Sequence, residues 1–376
     1  MKVAVVSETF LPAINGVTGS VLQVLRHLGR TGHGARVFAL GDTPATAEGF
    51  DVVNLPSVGL PGYPQVRVPV PVPAIAAGSL SRGLAQFRPD VIHLASPFTL
   101  GGPVMRVAAT LGIPVVAIYQ TDVAGFARRY GFTAASNSAW RHIRSVHERA
   151  QVTLAPSPSA AQELARHDIP RVEVWPRGVD TAAFSAAHRD DRLRARLAPA
   201  GEVLVGFVGR LAAEKQVEDL EVLLGLPGVR LVVIGDGAER ERLVRRLPGA
   251  HFLGELSGPD LSRAVASLDV VVHPGPYETF CQAAQEAMAS GVPVVAVRAG
   301  GLRDLVDHSR TGWLYPPGDL AALRAHVVDL AGDQAKRQAM GAAAHAAVRA
   351  RTWPVVCDRL LLHYERAVSL AAVAGR

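Results

Sequence analysis

The chain is poor in the residues that would build several common kinds of site. Two cysteines, Cys281 and Cys357, in 376 residues are too few for a disulfide framework. They also lack the partner spacing of a zinc site, and the histidines are scattered with no His-Glu-x-x-His cluster, so no tightly bound catalytic metal is indicated. No stretch approaches the roughly 20 uninterrupted apolar residues of a spanning helix. The opening run Met1-Lys2-Val3-Ala4-Val5-Val6 meets Ser7-Glu8 too early for a signal-peptide core. It reads as a first β-strand, and the chain as cytoplasmic. No polybasic run and no basic stretch interleaved with aromatics is present, so nucleic acid is the weakest of the anionic partners that a net charge of +6 favours. An acidic membrane surface, phosphate-bearing substrates and an ordinary solvated basic surface stay open. Lysine is scarce too, with Lys2, Lys215 and Lys336 the only ones among 39 basic residues.

What is abundant points to a core. Apolar residues make up 49% of the chain and charged residues 19%, and the length suits two domains of roughly 100–200 residues each. Short Val/Ile/Leu-rich runs alternate with longer amphipathic segments. This predicts parallel strands at 3–6, 35–40, 91–94, 115–118, 152–155 and 172–175, then at 203–208, 231–234, 251–253, 270–273 and 294–297. Such runs suit strands covered on both faces. The expected fold is α/β, two doubly wound Rossmann-like units separated by the polar segment 185–201. The proline-rich stretch 56–73 is expected to be a surface loop, and 354–373 an amphipathic helix.

Ligands of doubly wound folds sit at the carboxyl ends of strands, so the turns there carry the functional candidates. After the first strand comes Phe10-Leu11-Pro12-Ala13-Ile14-Asn15-Gly16-Val17, where Gly16 either lets backbone N–H groups approach a phosphate or sugar, or only permits a tight turn. It is not a G-x-G-x-x-G fingerprint, so a nicotinamide cofactor is not suggested. The second half opens with Val208-Gly209-Arg210, followed by Lys215. Arg as a fork and Lys as a point charge can neutralise a pyrophosphate. A chance basic residue in this chain would almost always be Arg, which argues against Lys215 being mere surface. Ile234-Gly235-Asp236-Gly237 is another strand-to-turn junction, with Gly235 either near a nucleotide or only opening the turn.

The most informative stretch is Pro274-Gly275-Pro276-Tyr277-Glu278-Thr279-Phe280-Cys281-Gln282, continuing through Glu286-Ala287 to Gly291-Val292-Pro293. Two glutamates flank a loop that feeds a helix. The N–H groups at that helix's start can hold phosphate or sugar hydroxyls, and a carboxylate is the natural acceptor for a ribose diol.

These landmarks, with Gly300-Gly301 and Gly312, resemble in their order the retaining GT-B glycosyltransferases of family four. The nearer similarity is to the actinobacterial GDP-mannose-dependent α-mannosyltransferases, through Ile118-Tyr119-Gln120-Thr121-Asp122-Val123-Ala124-Gly125-Phe126 and Glu278-Thr279-Phe280-Cys281-Gln282. The resemblance implies two facing Rossmann-like domains: residues 1–190 for the acceptor, 200–355 for the nucleotide-sugar donor, and a final helix at 356–376 returning to the first. It implies Gly16, Gly209, Arg210, Lys215 and Gly235 around the donor. Glu286 is then the ribose ligand, Glu278 lies beside the transferred sugar, and the backbone amides of Phe280, Cys281 and Gln282 touch sugar or phosphate. Gln120 stands where the family commonly has His, so Gln120 or Asp122 is expected to take over its hydrogen bonds.

The expected reaction moves a hexose, mannose from GDP-mannose foremost, to a hydroxyl of a lipid or small-molecule acceptor. The anomeric configuration is retained, and neither a metal nor a tightly bound cofactor is required. Alternatives are a UDP-sugar donor with a soluble natural-product acceptor, a sugar-nucleotide epimerase, a phosphorylase and a non-catalytic nucleotide binder. Basic and aromatic residues at 126–130 and 140–144 either contact an anionic membrane or form a solvated helix face.

Overall fold

A computed structural model describes residues 1–13, 15–60, 63–69, 73–95, 98–122 and 133–374. The chain divides into two compact units, Met1–Arg177 with Trp353–Arg376, and Gly178–Thr352. The polar segment 185–201 belongs to the second unit. Its Asp190 caps a short helix, while Leu197 and Ala198 join that unit's core.

The first unit runs β1 (Lys2–Ser7), α1 (Gly16–Arg30), β2 (Gly34–Leu40), β3 (Thr46–Ala47), β4 (Phe50–Leu55), β5 (Ser57–Leu60), β6 (Tyr63–Pro69), α2 (Pro73–Phe87), β7 (Val91–Leu94), α3 (Gly101–Leu111), β8 (Val115–Ile118), α4 (Thr133–His147), β9 (Val152–Ala155), α5 (Pro158–Arg166) and β10 (Val172–Val174). Its sheet has the order β10-β9-β8-β7-β1-β2-β4-β3, parallel except at β3. Successive residues of β1 serve opposite layers: Val3 and Val5 face α1 and the C-terminal helix, while Ala4 and Val6 face α2 and α3. Helix α1 follows from its sequence. Asn15 caps it by accepting from Val17 N and Thr18 N, and Val17, Val21, Val24, Leu25 and Leu28 recur at helical spacing on its buried side.

Residues 56–73 are not a plain loop. β5 and β6 pair antiparallel as a hairpin separate from the main sheet. Proline is excluded from the centre of a sheet, but a two-stranded ribbon leaves half its amides unpaired and accepts it.

The second unit runs α6 (Asp191–Leu197), β11 (Val203–Val208), β12 (Val229–Ile234), α7 (Arg240–Arg246), β13 (His251–Gly254), α8 (Gly258–Ala266), β14 (Val270–His273), α9 (Gln282–Ala289), β15 (Val294–Val297), α10 (Leu302–Leu305), β16 (Gly312–Tyr315), α11 (Leu320–Gly332) and α12 (Gln334–Val348). The sheet is wholly parallel, in the order β13-β12-β11-β14-β15-β16. Strand order therefore reverses between β11 and β14, as it does between β1 and β7 in the first unit. Such a reversal opens a crevice at the strands' carboxyl ends.

Helix α13 (Trp353–Ala374) belongs to the first unit and packs on α1, β7 and β8. It buries Trp353, Val356, Leu360, Tyr364 and Ala367 there, and Trp175 donates its indole N–H to Val356 O at 2.9 Å. Among the described residues no helix is long and apolar enough to cross a membrane.

Candidate active site

In the second unit both loops at the reversal of strand order carry charge. β11 runs into Gly209 and Arg210, then into a 3-10 turn at Ala213–Lys215. β14 runs into the loop that holds Glu278 and ends at α9. Lys215 Nζ donates to Glu278 Oε1 at 2.6 Å, with each side chain 18% exposed, so the ion pair spans the crevice. Gly275 makes this approach feasible, because a Cβ there would lie 2.9 Å from Glu214 O and Lys215 Cα. The far side of the Glu278 loop is fixed by Gly301 N donating to Glu278 O at 2.7 Å.

Burial acts first against both charges of the pair. For Lys215 the charge and hydrogen bond of Glu278 outweigh it and hold the ammonium above its usual range. For Glu278 the charge and hydrogen bond of Lys215, helped by His273 and Arg210, hold the carboxyl below its usual range. Arg210 is held by one end of its guanidinium: its Nη2 donates to Oε1 of the almost buried Glu214 at 2.6 Å, while the Arg210 side chain is 64% exposed. Two cations and a helix N-terminus thus converge on one crevice, an arrangement suited to a diphosphate.

Gly209 and Gly235 have a structural function in this arrangement. Gly209 N donates to Ile234 O at 2.9 Å, and a Cβ on Gly235 would lie 2.0 Å from Gly209 O, so the two turns touch backbone to backbone. Phe280 and Cys281 are buried at the start of α9, where Cys281 adopts φ 78°. Glu286, one turn further, receives Gln282 Nε2 at 3.2 Å. Burial pushes its carboxyl up to about 7, with the Gln282 hydrogen bond pulling the other way. His273, at the end of β14, is a neighbour that its sequence position alone did not single out. Its ring lies 5.5 Å from that of Phe207, and burial lowers it to about 4.

The first unit carries Gly16, Gln120 and Asp122. Gly16 opens α1 with nothing within 4 Å of a Cβ and no left-handed φ, so glycine leaves bare backbone there rather than serving a turn. Gln120 is buried, its amide donating to Ala95 O and its carbonyl accepting from Arg177 Nη2. Burial lowers Arg177 to about 10. Asp122 accepts from the Tyr119 hydroxyl at 3.3 Å. Glu8 was not singled out, although it stands directly after the first strand. It crosses to the loop after β7 and accepts from Phe98 N and Leu100 N at 2.7 Å each. Behind it His93 Nδ1 meets the Tyr364 hydroxyl at 2.5 Å, and burial, with the charge of Arg177, lowers His93 to about 3.

Of the basic and aromatic clusters, Phe126, Arg128, Arg129 and Tyr130 lie outside the described residues, as do Val123, Ala124 and Gly125. In the second cluster Trp140 is core, stacked on His167, and Arg144 pairs with Glu148 at 2.5 Å and Asp168 at 3.3 Å. Among the described residues no group of three or more His, Cys, Asp or Glu is placed to hold a metal ion.

Comparison with known proteins gives the family. Residues 14–183 match the model of Glycosyltransferase Family 4, and residues 189–347 that of Glycosyl transferases group 1. A GDP-mannose-dependent alpha-mannosyltransferase of Mycolicibacterium smegmatis is 51% identical, over 100% of this chain and 98% of its own. One of Corynebacterium glutamicum is 43% identical over 99% and 90%. Among solved structures, sucrose-phosphate synthase of Thermosynechococcus elongatus superposes with a TM-score of 0.83 at 21% identity, covering 98% of this chain and 99% of that one. Anabaena HepE, in complex with UDP and glucose, gives 0.79 at 20% identity over 96% and 98%. These two establish the shared GT-B fold, and the full-length relatives with the family models establish the rest: the chain belongs to glycosyltransferase family 4.

Proposed function

We propose that the chain is a retaining α-mannosyltransferase that takes mannose from GDP-mannose and passes it to a hydroxyl acceptor. The observation that carries the reading is the Lys215–Glu278 pair across the reversal of strand order, with Arg210 beside it and α9 opening onto it. The donor follows from the full-length relatives, which are named for GDP-mannose. In this reading Arg210 and Lys215 stabilise the charge that develops on the leaving diphosphate, so cationic side chains do the work a metal would otherwise do. Glu278, tied to Lys215, binds hydroxyls of the transferred sugar rather than attacking C1. The bond from C1 to the diphosphate oxygen breaks while the acceptor oxygen bonds C1 on the same face. The acceptor proton passes to a diphosphate oxygen, and GDP leaves. Glu286 accepts from the ribose.

Calorimetry with GDP and UDP, followed by mass spectrometry of products from GDP-mannose, tests the donor. GDP should bind more tightly than UDP, and a UDP-sugar turned over in preference would overturn the assignment. Glu278→Ala should lower turnover and weaken the intact donor while leaving GDP affinity nearly intact, because its contacts belong to the sugar and the transition state. Equal loss of GDP affinity in Glu278→Ala and Glu286→Ala would remove the division of labour between the two glutamates.

A further inference from the structure

Gln282 lies in the first turn of α9, one turn ahead of Glu286. Its Nε2 is 3.2 Å from Glu286 Oε1 and 3.0 Å from Gly178 O. Both partners are acceptors, so chemistry dictates that the NH2 side of the amide faces them. The carbonyl is thereby turned the other way, where Gln282 Oε1 is buried without a hydrogen-bond partner among the described residues. Leaving a buried acceptor unpaired is unfavourable, and the amide accepts this while keeping both donor contacts. Gly178 is where the chain enters the second unit, directly after Arg177, whose guanidinium is bound to Gln120. The next residue, Val179, donates to Arg351 O at 2.8 Å and bridges Thr352, where the chain leaves that unit again.

We infer that Gln282 is a positioning residue for donor binding, its amide holding the Glu286 carboxylate in place for a ribose diol and tying it to the crossover at Gly178. The inference rests on the reading of Glu286 as the ribose ligand. The Gln282 hydrogen bond is also the one influence that favours the charged form of Glu286 against burial. Other titratable groups around it are Cys281 and the Glu278–Lys215 pair ahead of α9, and His273 at the end of β14. His345 on α12 lies alongside, with its Nδ1 2.8 Å from Ala289 O, and Arg263 and Asp260 on α8 pair with each other. Without Gln282 the carboxyl should stay protonated to higher pH and accept poorly from ribose.

The test is GDP affinity by calorimetry from pH 6 to 9 for the whole chain, with Glu286→Gln run to subtract titration of the GDP phosphate. In the unaltered protein affinity should rise with pH through the Glu286 transition. Gln282→Met, close in shape but without the amide, should bind GDP about tenfold more weakly at pH 7, the loss of one hydrogen bond to a charged group. Its transition should move to higher pH, with much of the affinity recovered at pH 9. Gln282→Lys, whose ammonium keeps donors for both acceptors and adds a charge, should retain GDP affinity at pH 7 and move the transition below that of the unaltered protein. A uniform loss at every pH, or no loss, in a Gln282→Met protein with an unchanged melting temperature would overturn the inference while leaving Glu286 as ligand. If Glu286→Ala binds GDP as well as the unaltered protein, the reading of Glu286 fails and the inference with it.

Discussion

Glu8 and Lys215 do the same thing in two sheets of the same strand order. Each sits in the loop after the strand that precedes the reversal, and each reaches across to the loop beyond the next strand. Glu8 ends on backbone amides, at Phe98 N and Leu100 N. Burial raises its carboxyl, and those bonds only partly oppose the shift. Lys215 ends on another charged side chain, Glu278. A crossing that ends on backbone fixes a loop and has little left to give. A crossing that ends on a charged partner can be exchanged for a phosphate. The same topological position thus carries a backbone anchor in one unit and an ion pair in the other.

The contrast is tested most sharply at Lys215. Lys215→Ala should lower turnover by about 10²–10³, the usual cost of removing one preorganised donor at a developing charge. Lys215→Arg should recover little of it, because a planar fork does not replace a point charge. Steady-state kinetics that stay within tenfold of the unaltered enzyme would erase the distinction. Glu8→Ala should act on the fold instead, costing about 2–3 kcal/mol of stability in urea because two amides lose their acceptor. Calorimetric affinity for GDP should be unchanged, and a parallel loss of affinity would mean that both crossings serve the ligand.

The smallest effect expected is a difference in acid sensitivity. Burial lowers His93 to about 3 and His147 to about 4 in the first unit, and His273 to about 4 in the second. Unfolded, each takes up a proton near pH 6.5, so the unfolded state binds more protons below that pH. Stability then falls as pH drops from 6.5 toward the folded values, by about 1.4 kcal/mol per pH unit for each histidine at full slope. Glu286 has the opposite sign. Its folded value of about 7 lies above the unfolded one, so between 4.5 and 7 the folded state binds the extra proton and gains stability as pH falls. In the second unit that opposes His273 and the likewise lowered His326, whereas in the first His93 and His147, joined by the lowered His33 and His363, face only the raised Glu8. Three of the four tryptophans, Trp140, Trp175 and Trp353, lie in the first unit, so fluorescence reports on it selectively. Between pH 7.5 and 5.5 its thermal transition should fall further than that of the second unit, and transitions moving together would contradict the assignment.

All eleven strand segments expected from apolar runs fall on strands, because strands covered on both faces need continuous Val, Ile and Leu. β4 and β16 escaped notice: Phe50-Asp51-Val52-Val53-Asn54-Leu55 is interrupted by polar residues, and Gly312-Trp313-Leu314-Tyr315 is a short edge strand. The members of the Lys215–Glu278 pair stood out in the sequence because a lysine in an arginine-rich chain and two glutamates around a helix start are unusual local features. Glu214, Arg177 and His93 were not, since what gives each its importance is a burial or a partner up to hundreds of residues away, such as Tyr364 for His93. Trp140 looked like surface for the same reason, as Tyr119 and Leu164 of its core lie elsewhere in the chain, whereas Arg144 is exposed, as a solvated helix face requires.

The return of α13 to the first unit also orders events during synthesis. The second unit is one unbroken stretch, Gly178–Thr352, and holds its whole core within itself. The first is interrupted, because one face of β1, β7 and β8 stays open until Trp353, Val356, Leu360, Tyr364 and Ala367 have been translated. The part of the chain made first is therefore the last to close. Through the time the ribosome takes to add those 175 residues, the apolar layer around Val5, Val91 and Val116 must be shielded by something other than its native helix.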